Sequence, residues 1–272
     1  MSVPVLGVLA FVCAMGNLWP MSGGSFAFPA DHWLPTNVSE DGAVIDHLFM
    51  FILGLTGVIF VATSIAMFLF LWKYDAEKNA EPVKFTHGSH ALEIVWSILP
   101  AAILLFLAIY QMNAWADAKM RRPTETIGTT EVPKRPLVEV TGRQFEWRLR
   151  YAGEDGEIGT RDDLYTVNDL HLPVDEEIVI AIKSEDVLHS FFLPNLRIKQ
   201  DIVPGMKQFV WFQANQTGIY DVVCAELCGW GHYKMRGRMT IESREKFDAW
   251  LHKQIEEQER SEFIPKAGDE DE

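Results

Sequence analysis

Neither lysine nor arginine occurs before Lys73, so the first quarter of this 272-residue chain carries no fixed positive charge. Cysteine is almost as scarce. Only Cys13, Cys224 and Cys228 are present, too few for the disulfide framework of a small secreted scaffold. No Cys-x2-Cys-His run occurs, so the sequence carries no signature for covalent attachment of haem c. No internal repeat is present, which excludes solenoids and propellers. Basic residues are outnumbered by acidic ones, 24 against 38, for a formal net charge of -14 at pH 7. That balance gives nucleic acid no footing as a partner.

What fills the basic-free front is hydrocarbon. Phe49–Leu71 is long enough to span a bilayer, and Leu92–Trp115 is a second span of the same kind. Core helices of soluble proteins are seldom so long and so free of charge. The connecting loop holds Lys73, Lys78, Lys84, His87 and His90, so the positive-inside rule places it in the cytoplasm. The acidic flank Asp31–Asp46 and everything after Trp115 then face outward. Ahead of the hairpin, Val3–Trp19 followed by Ser22-Gly-Gly-Ser25 fits a signal-peptide core and cleavage zone. The missing basic start departs from that pattern, and an uncleaved third helix is the alternative. Cys13 reads as a small apolar filler there. Residues 1–30 thus form a signal peptide or extra apolar helix, and 45–116 a transmembrane helical hairpin.

Residues 117–136 read as a linker, because Pro123, Pro133 and Pro136 break any regular pattern and the stretch is otherwise polar. Short alternating runs follow at Leu137–Thr141, Gln144–Tyr151, Glu177–Lys183, Val187–Leu193, Gln208–Gln213, Ile219–Val223 and Arg238–Ile241. Such spacing, with Gly and Pro turns between, predicts an all-β barrel or sandwich over 137–242. After Glu242 the period becomes helical. Arg244–Arg260 carries Phe247, Trp250, Leu251 and Ile255 on one side, and Gly268–Glu272 is an acidic, solvated tail, so 243–272 is an amphipathic helix plus tail.

One short segment concentrates the chemistry: Cys224-Ala-Glu-Leu-Cys228-Gly-Trp-Gly-His232-Tyr-Lys-Met235, with His189 upstream. Soft sulfur with imidazole selects copper over magnesium or calcium. Three other readings compete. The four positions lie on one helical face, but Gly229 and Gly231 would each cost a helix about 1 kcal/mol relative to alanine. Zinc could take Cys224, Cys228, His232 and His189, yet it has no use for Met235. A Cys224–Cys228 disulfide would leave both histidines unexplained.

The order His189, Cys224-x3-Cys228-x3-His232-x2-Met235, with Glu226 between the cysteines, resembles subunit II of haem-copper cytochrome c oxidases. A helical hairpin before an exported copper domain is also that family's topology, and the resemblance covers roughly residues 45–242. It implies a cupredoxin-like fold for 137–242 and a dinuclear copper A centre. Cys224 and Cys228 would bridge both coppers, His189 and His232 would cap one each, and Met235 and the Glu226 carbonyl would be weak axial ligands. The Glu226 carboxylate would help bind magnesium at the junction with subunit I. Glu93, in a stretch followed by Trp96 and Pro100, matches the acid at the mouth of a proton channel; as a bare carboxylate at the interface it would simply reach to water. Gly142-Arg-Gln144-Phe145-Glu-Trp147 matches the aromatic strand that receives electrons from cytochrome c, with Phe145 in place of the family's first tryptophan. Packing of the barrel explains Trp147 at least as well.

The function so implied is electron acceptance from a c-type cytochrome and delivery to haem in subunit I, where oxygen becomes water. The partners are then subunit I and other oxidase subunits, in a bacterial-type inner (cytoplasmic) membrane with the copper domain on the periplasmic side. The acidic runs Glu154–Glu157, Asp162-Asp163 and Asp175–Glu177 would steer a basic donor, though solubility accounts for them equally well. Three alternatives stand beside this one. A copper A subunit of a nitric-oxide-reducing complex would look almost the same. A quinol oxidase subunit would lack the ligands, and a membrane-anchored copper chaperone would lack the dinuclear set.

Overall fold

The computed structural model describes residues 34–75, 85, 87–153 and 155–260. The leader reading, Cys13, most of the basic loop and the acidic tail lie outside them. By contact the chain divides after Thr36, and everything below concerns the unit that begins at Asn37.

Two long helices come first, α1 (Gly42–Lys73) and α2 (His90–Lys119). Each contains the predicted span and extends beyond it at both ends, and each is apolar on all sides, with no consistent polar face. Side chains such as Phe60, Phe68, Leu104 and Ile109 stand half-exposed or more. An apolar surface of that extent suits lipid or another subunit, not water. Thr56 and Thr63 return their hydroxyls to carbonyls three and four residues back, so neither leaves a polar group unpaired in hydrocarbon. The protein is membrane-anchored.

The region from 117 to 136 departs from the structureless linker expected. It holds a hairpin, β1 (Thr124–Ile127) and β2 (Thr130–Pro133), in register from Thr124 opposite Pro133 to Ile127 opposite Thr130. The prolines sit at the ends of the strands, where a missing N–H costs nothing, and Gly128 supplies the positive φ of the tight turn.

Ten further strands make two five-stranded sheets. The first has the order β10-β7-β3-β4-β5, from Gln208–Gln213, Glu177–Ser184, Val138–Arg143, Glu146–Tyr151 and Leu164–Val167. The second has the order β6-β12-β11-β8-β9, from Asp169–Pro173, Arg236–Glu242, Gly218–Cys224, His189–Leu193 and Ile198–Ile202. The β3–β7 and β12–β6 pairs are parallel and the others antiparallel. Strand β4 shows the logic: Trp147, Leu149 and Tyr151 point inward while Glu146, Arg148 and Arg150 point out. Inner faces of both sheets meet in one core that includes Val140, Leu149, Ile180, Phe191, Val222 and Met239. This is a cupredoxin-like barrel, as expected, with three strands (β5, β6 and β9) beyond those the alternation predicted.

Helix α3 (Arg244–Arg260) has the predicted bounds and closes the barrel at one side. Phe247 is buried, and Trp250 lies flat on His171 with centroids 3.9 Å apart. The His171 ring also meets Glu242 at 2.8 Å, and Gln258 bonds the Tyr165 amide at 2.9 Å. Outer ends of the hairpin are tied to the barrel as well. Arg197 forks onto the Asp46 carboxylate at 2.7 and 2.9 Å, a bidentate pair. Trp211 Nε1 donates to the Asp117 carbonyl at 2.8 Å. The segment before α1 adds an edge: Val38 is fully buried, with backbone bonds to Asn195 and Asn215.

One buried charge stabilises the central strand. Glu139, 5% exposed on β3, takes Lys207 at 2.6 Å and Lys183 at 3.1 Å. Burial works to raise this carboxyl, and the two ammonium groups outweigh it, leaving it below the ordinary 4.5. A depressed carboxyl contributes stability above its unfolded value and loses it as pH falls through its folded one. Glu139→Gln should therefore lower the unfolding free energy at pH 7 by about 1–3 kcal/mol, the cost of stranding buried partners. The difference from the unaltered protein should vanish as pH falls below 4.5 in thermal melts.

Candidate metal centre

Strand pairing delivers the first two donors. Antiparallel β8 and β11 put Cys224 opposite Phe191. His189 lies two residues before Phe191 and so shares its face of the sheet. His189 is fully buried and its Nδ1 stands 3.9 Å from Cys224 Sγ. The chain then leaves the sheet, and two backbone bonds close the neck of the loop: Ala225 N–H to the Ser190 carbonyl at 3.1 Å and Cys224 N–H to the Met235 carbonyl at 3.2 Å.

Inside the loop the remaining candidates converge. Cys228 Sγ lies 3.9 Å from Cys224 Sγ, 3.7 Å from His232 Nδ1 and 3.8 Å from Met235 Sδ. The Glu226 carbonyl lies 3.2 Å from Cys224 Sγ. Donor atoms of His189, Cys224 and Cys228 all fall within 4.8 Å of one another. Both cysteines are free thiols, 9% and 4% exposed, and Met235 is buried beside them. The segment is no α-helix, since Cys224 ends a strand and only His232–Lys234 makes a single 3-10 turn. So the helical-core and disulfide readings fall away.

The donor set fits a soft metal. Two thiols, two imidazole nitrogens and a thioether face one spot with little water access. Burial acts to raise the Cys224 thiol, but hydrogen bonds led by that from His189 outweigh it and bring it down to about 6. Cys228 goes the other way, pushed up to about 12 by burial and by the neighbouring Cys224. A reactive, low-pKa thiolate beside an imidazole is a metal ligand ready to bind.

A second layer of residues holds these donors still. His189 turns its other nitrogen, Nε2, to the Asp186 carboxylate at 2.8 Å, which fixes the ring. Asp186 also accepts the Gln144 amide N–H at 2.8 Å. The Gln144 side chain in turn donates to the Cys228 carbonyl across the loop. Gly229 is held at φ +137°, and a Cβ there would meet Gln144 Nε2 at 2.8 Å. At Gly231 a Cβ would lie 2.6 Å from the Phe145 ring. Both glycines are needed for the loop to lie flat on this strand end. The sequence gives Asp186 away by its place three residues before His189, and Gln144 by its place beside Phe145.

Of the aromatic candidates, Trp147 is 1% exposed and packs edge-on to Phe191 at 5.5 Å, with the His189 ring at 6.2 Å. It belongs to the barrel core. Phe145 is half-buried and meets Trp230 edge-on at 5.2 Å. Glu226 is half-buried on the loop. Glu93 lies far off in sequence at the start of α2, with its carboxylate 3.4 Å from His90. The predicted acidic face is smaller than the sequence implies. Asp163 is fully buried, bonded to Arg150 and to the Gly159 and Thr160 amides, so it steers nothing.

Comparison with known proteins agrees with this geometry. "Cytochrome C oxidase subunit II, periplasmic domain" matches residues 138–243, and "Cytochrome C oxidase subunit II, transmembrane domain" matches 29–114. The "Alternative cytochrome c oxidase subunit 2" of Bradyrhizobium diazoefficiens is 29% identical over 244 residues, which is 82% of this chain and 84% of that protein. The "Probable cytochrome c oxidase subunit 2" of Rickettsia bellii is 30% identical, covering 75% of this chain and 76% of its own. Among solved structures, the periplasmic domain of subunit II of cytochrome oxidase from Bradyrhizobium japonicum is 26% identical with a TM-score of 0.41. That match covers 46% of this chain and 98% of that one. With the hairpin, the barrel and the His/Cys/Cys cluster in place, the chain belongs to the cytochrome c oxidase subunit II family.

Proposed function

We propose that this chain takes electrons from a c-type cytochrome at a dinuclear copper A centre and passes them to haem in subunit I, where oxygen is reduced to water. The carrying observation is the pair of buried free thiols 3.9 Å apart, each with an imidazole Nδ1 beside it, at 3.9 Å for Cys224 and 3.7 Å for Cys228. Two sulfurs so placed can each touch two metal ions, and each ion would then have one histidine. When bound, such a copper pair supplies a one-electron store shared across both metals, with little change of shape on reduction.

The residues of this chain do the rest. Cys224 and Cys228 would hold the metals through sulfur, with His189, His232, Met235 and the Glu226 carbonyl as the remaining donors. Asp186 and Gln144 keep the imidazole and the loop from moving. The Glu226 carboxylate is free to face subunit I, where oxygen donors from both chains would hold magnesium. Glu93, at the end of α2 away from the barrel, fits a place where protons are taken up from the cytoplasm. The copper domain, residues 137–242, then sits outside a bacterial inner membrane. The hairpin 45–116 anchors it, 117–136 joins the two, and 243–272 packs on its flank.

Copper counting with electron paramagnetic resonance on the whole chain tests the reading. Two coppers per chain sharing one unpaired electron, with hyperfine structure from both nuclei, is the expected result. One copper with a localised signal, or a preference for zinc, would overturn it. Asp186→Ala should weaken copper binding about 10- to 100-fold, as loss of a histidine's supporting carboxylate does elsewhere. A competition titration against a chelator of known affinity measures that.

A further inference from the structure

We propose that Trp230 is the residue through which electrons enter this subunit, its indole forming the contact against which the donor's haem edge docks. This rests on the reading that a c-type cytochrome reduces the metal centre. Most of the candidate ligands are closed to a donor: His189 is fully buried, Met235 is 2% exposed and Cys228 is 4% exposed, while His232 is half-buried. The readiest entry is then a surface group on the His232 side of the loop that is open to the partner and joined closely to the ligands.

Trp230 meets both demands. It is 80% exposed, and it lies in sequence midway between Cys228 and His232, two residues from each. Covalent bonds carry electronic coupling far better than gaps do, so this backbone route is short in the sense that matters. The ring is also held in place. It packs edge-on to Phe145 at 5.2 Å, Phe145 lies flat against Gly231, and Gln144 next to it is bonded to the Cys228 carbonyl. A side chain so buttressed presents one fixed face. Leu227 and Tyr233 are exposed on the same loop, but among the described ring contacts Trp230 packs on Phe145 while Tyr233 has only Lys234 beside it.

The chemistry of the occupant follows from the site. A large indole left in water at the rim of a redox centre is a docking element, since tryptophan anchors interfaces more often than most residues do. The partner must carry one electron on a planar group exposed at its surface, which is a haem edge. Charge close to the ring is balanced, with Lys234 Nζ 5.9 Å over the indole and Glu185 paired to Arg143 and Arg148, so it is the chain's net charge of -14 that favours a basic cytochrome. In the step, one electron leaves the ferrous haem iron, which becomes ferric, and the metal centre gains it. No bond or proton changes hands.

The test uses the purified oxidase complex with Trp230→Ala and Trp230→Phe. A reduced basic c-type cytochrome and a small ruthenium photoreductant serve as alternative donors. Binding of the ferric cytochrome to the complex is a readout independent of turnover. Trp230→Ala should weaken that binding and slow single-turnover reduction by the cytochrome about tenfold or more, the usual effect of removing an interface anchor. Reduction by ruthenium and the copper spectrum should stay unchanged, and Trp230→Phe should restore most of the loss. Cytochrome binding and rate unchanged in Trp230→Ala would overturn the proposal. So would equal losses with both donors, or a changed copper spectrum, because Trp230 would then serve the loop's structure. An unaltered complex that takes electrons from ruthenium but from no c-type cytochrome would instead refute the donor reading itself.

Discussion

A two-residue strand pairing decides whether this protein has a metal centre at all. Val223 opposite Phe192 and Cys224 opposite Phe191 are the register that joins β11 to β8. A slip of one residue would turn every side chain to the other face and send Cys224 away from His189. The barrel core enforces the register, because Phe191 and Val222 are buried in it and cannot be exposed without losing about 1.5–3 kcal/mol each. The ligand loop then starts and ends at fixed points, with Ala225 bonded to Ser190 and Cys224 to Met235. Donors mounted on strand ends are placed more accurately than donors on a free loop. Packing far from the thiols is thus what fixes the distance between them.

The same barrel sets how the metal domain meets the membrane. Asp46 near the start of α1 and Asp117 near the end of α2 are both bound to it, by Arg197 and Trp211. Both outer helix ends, near Gly42 and Lys119, therefore lie at the barrel. Arg197 sits in the left-handed region, at φ +59°, immediately after a 3-10 turn and just before β9. A bulky residue seldom adopts that backbone, and its fork onto Asp46 offers a compensating interaction.

What the sequence made legible divides along physical lines. Long uncharged runs gave both membrane helices, because bilayer thickness demands a length that few other structures need. The ligand loop was legible because its donors crowd twelve residues and only metal chemistry uses such a mix. Strands with one wet face, such as β4, were also plain. Those missed were short, and their pattern was obscured for identifiable reasons. β6 reads Asp-Leu-His-Leu-Pro, and its outward His171 is itself buried under Trp250 of α3. β9 reads Ile-Lys-Gln-Asp-Ile, with only its two ends inside. Prolines suggested a broken linker where a hairpin forms, since they fall at strand ends and not within. Asp163 was counted as surface charge, yet Arg150 and two backbone amides draw it fully inside. Tertiary partners decide such cases, and a single sequence does not show them.

The site's electrostatics explain why it is built for cations and not for a bare dithiol. Two thiolates 3.9 Å apart would repel by about 4 kcal/mol even at an effective dielectric of 20. The folded protein answers by driving the two thiols apart: burial acts to raise Cys224, but its hydrogen bonds led by His189 bring it down, while burial and the neighbouring Cys224 push Cys228 up. His189 is drawn toward its protonated form by Cys224 and Asp186, although burial alone would act the other way. A bound cation would remove the reason for that separation, since Cys224, Cys228 and His189 would all be held in their deprotonated, ligating forms. The sulfurs already stand side by side, held by the sheet on one side and by Gln144 on the other, so binding needs a change of protonation more than a change of shape.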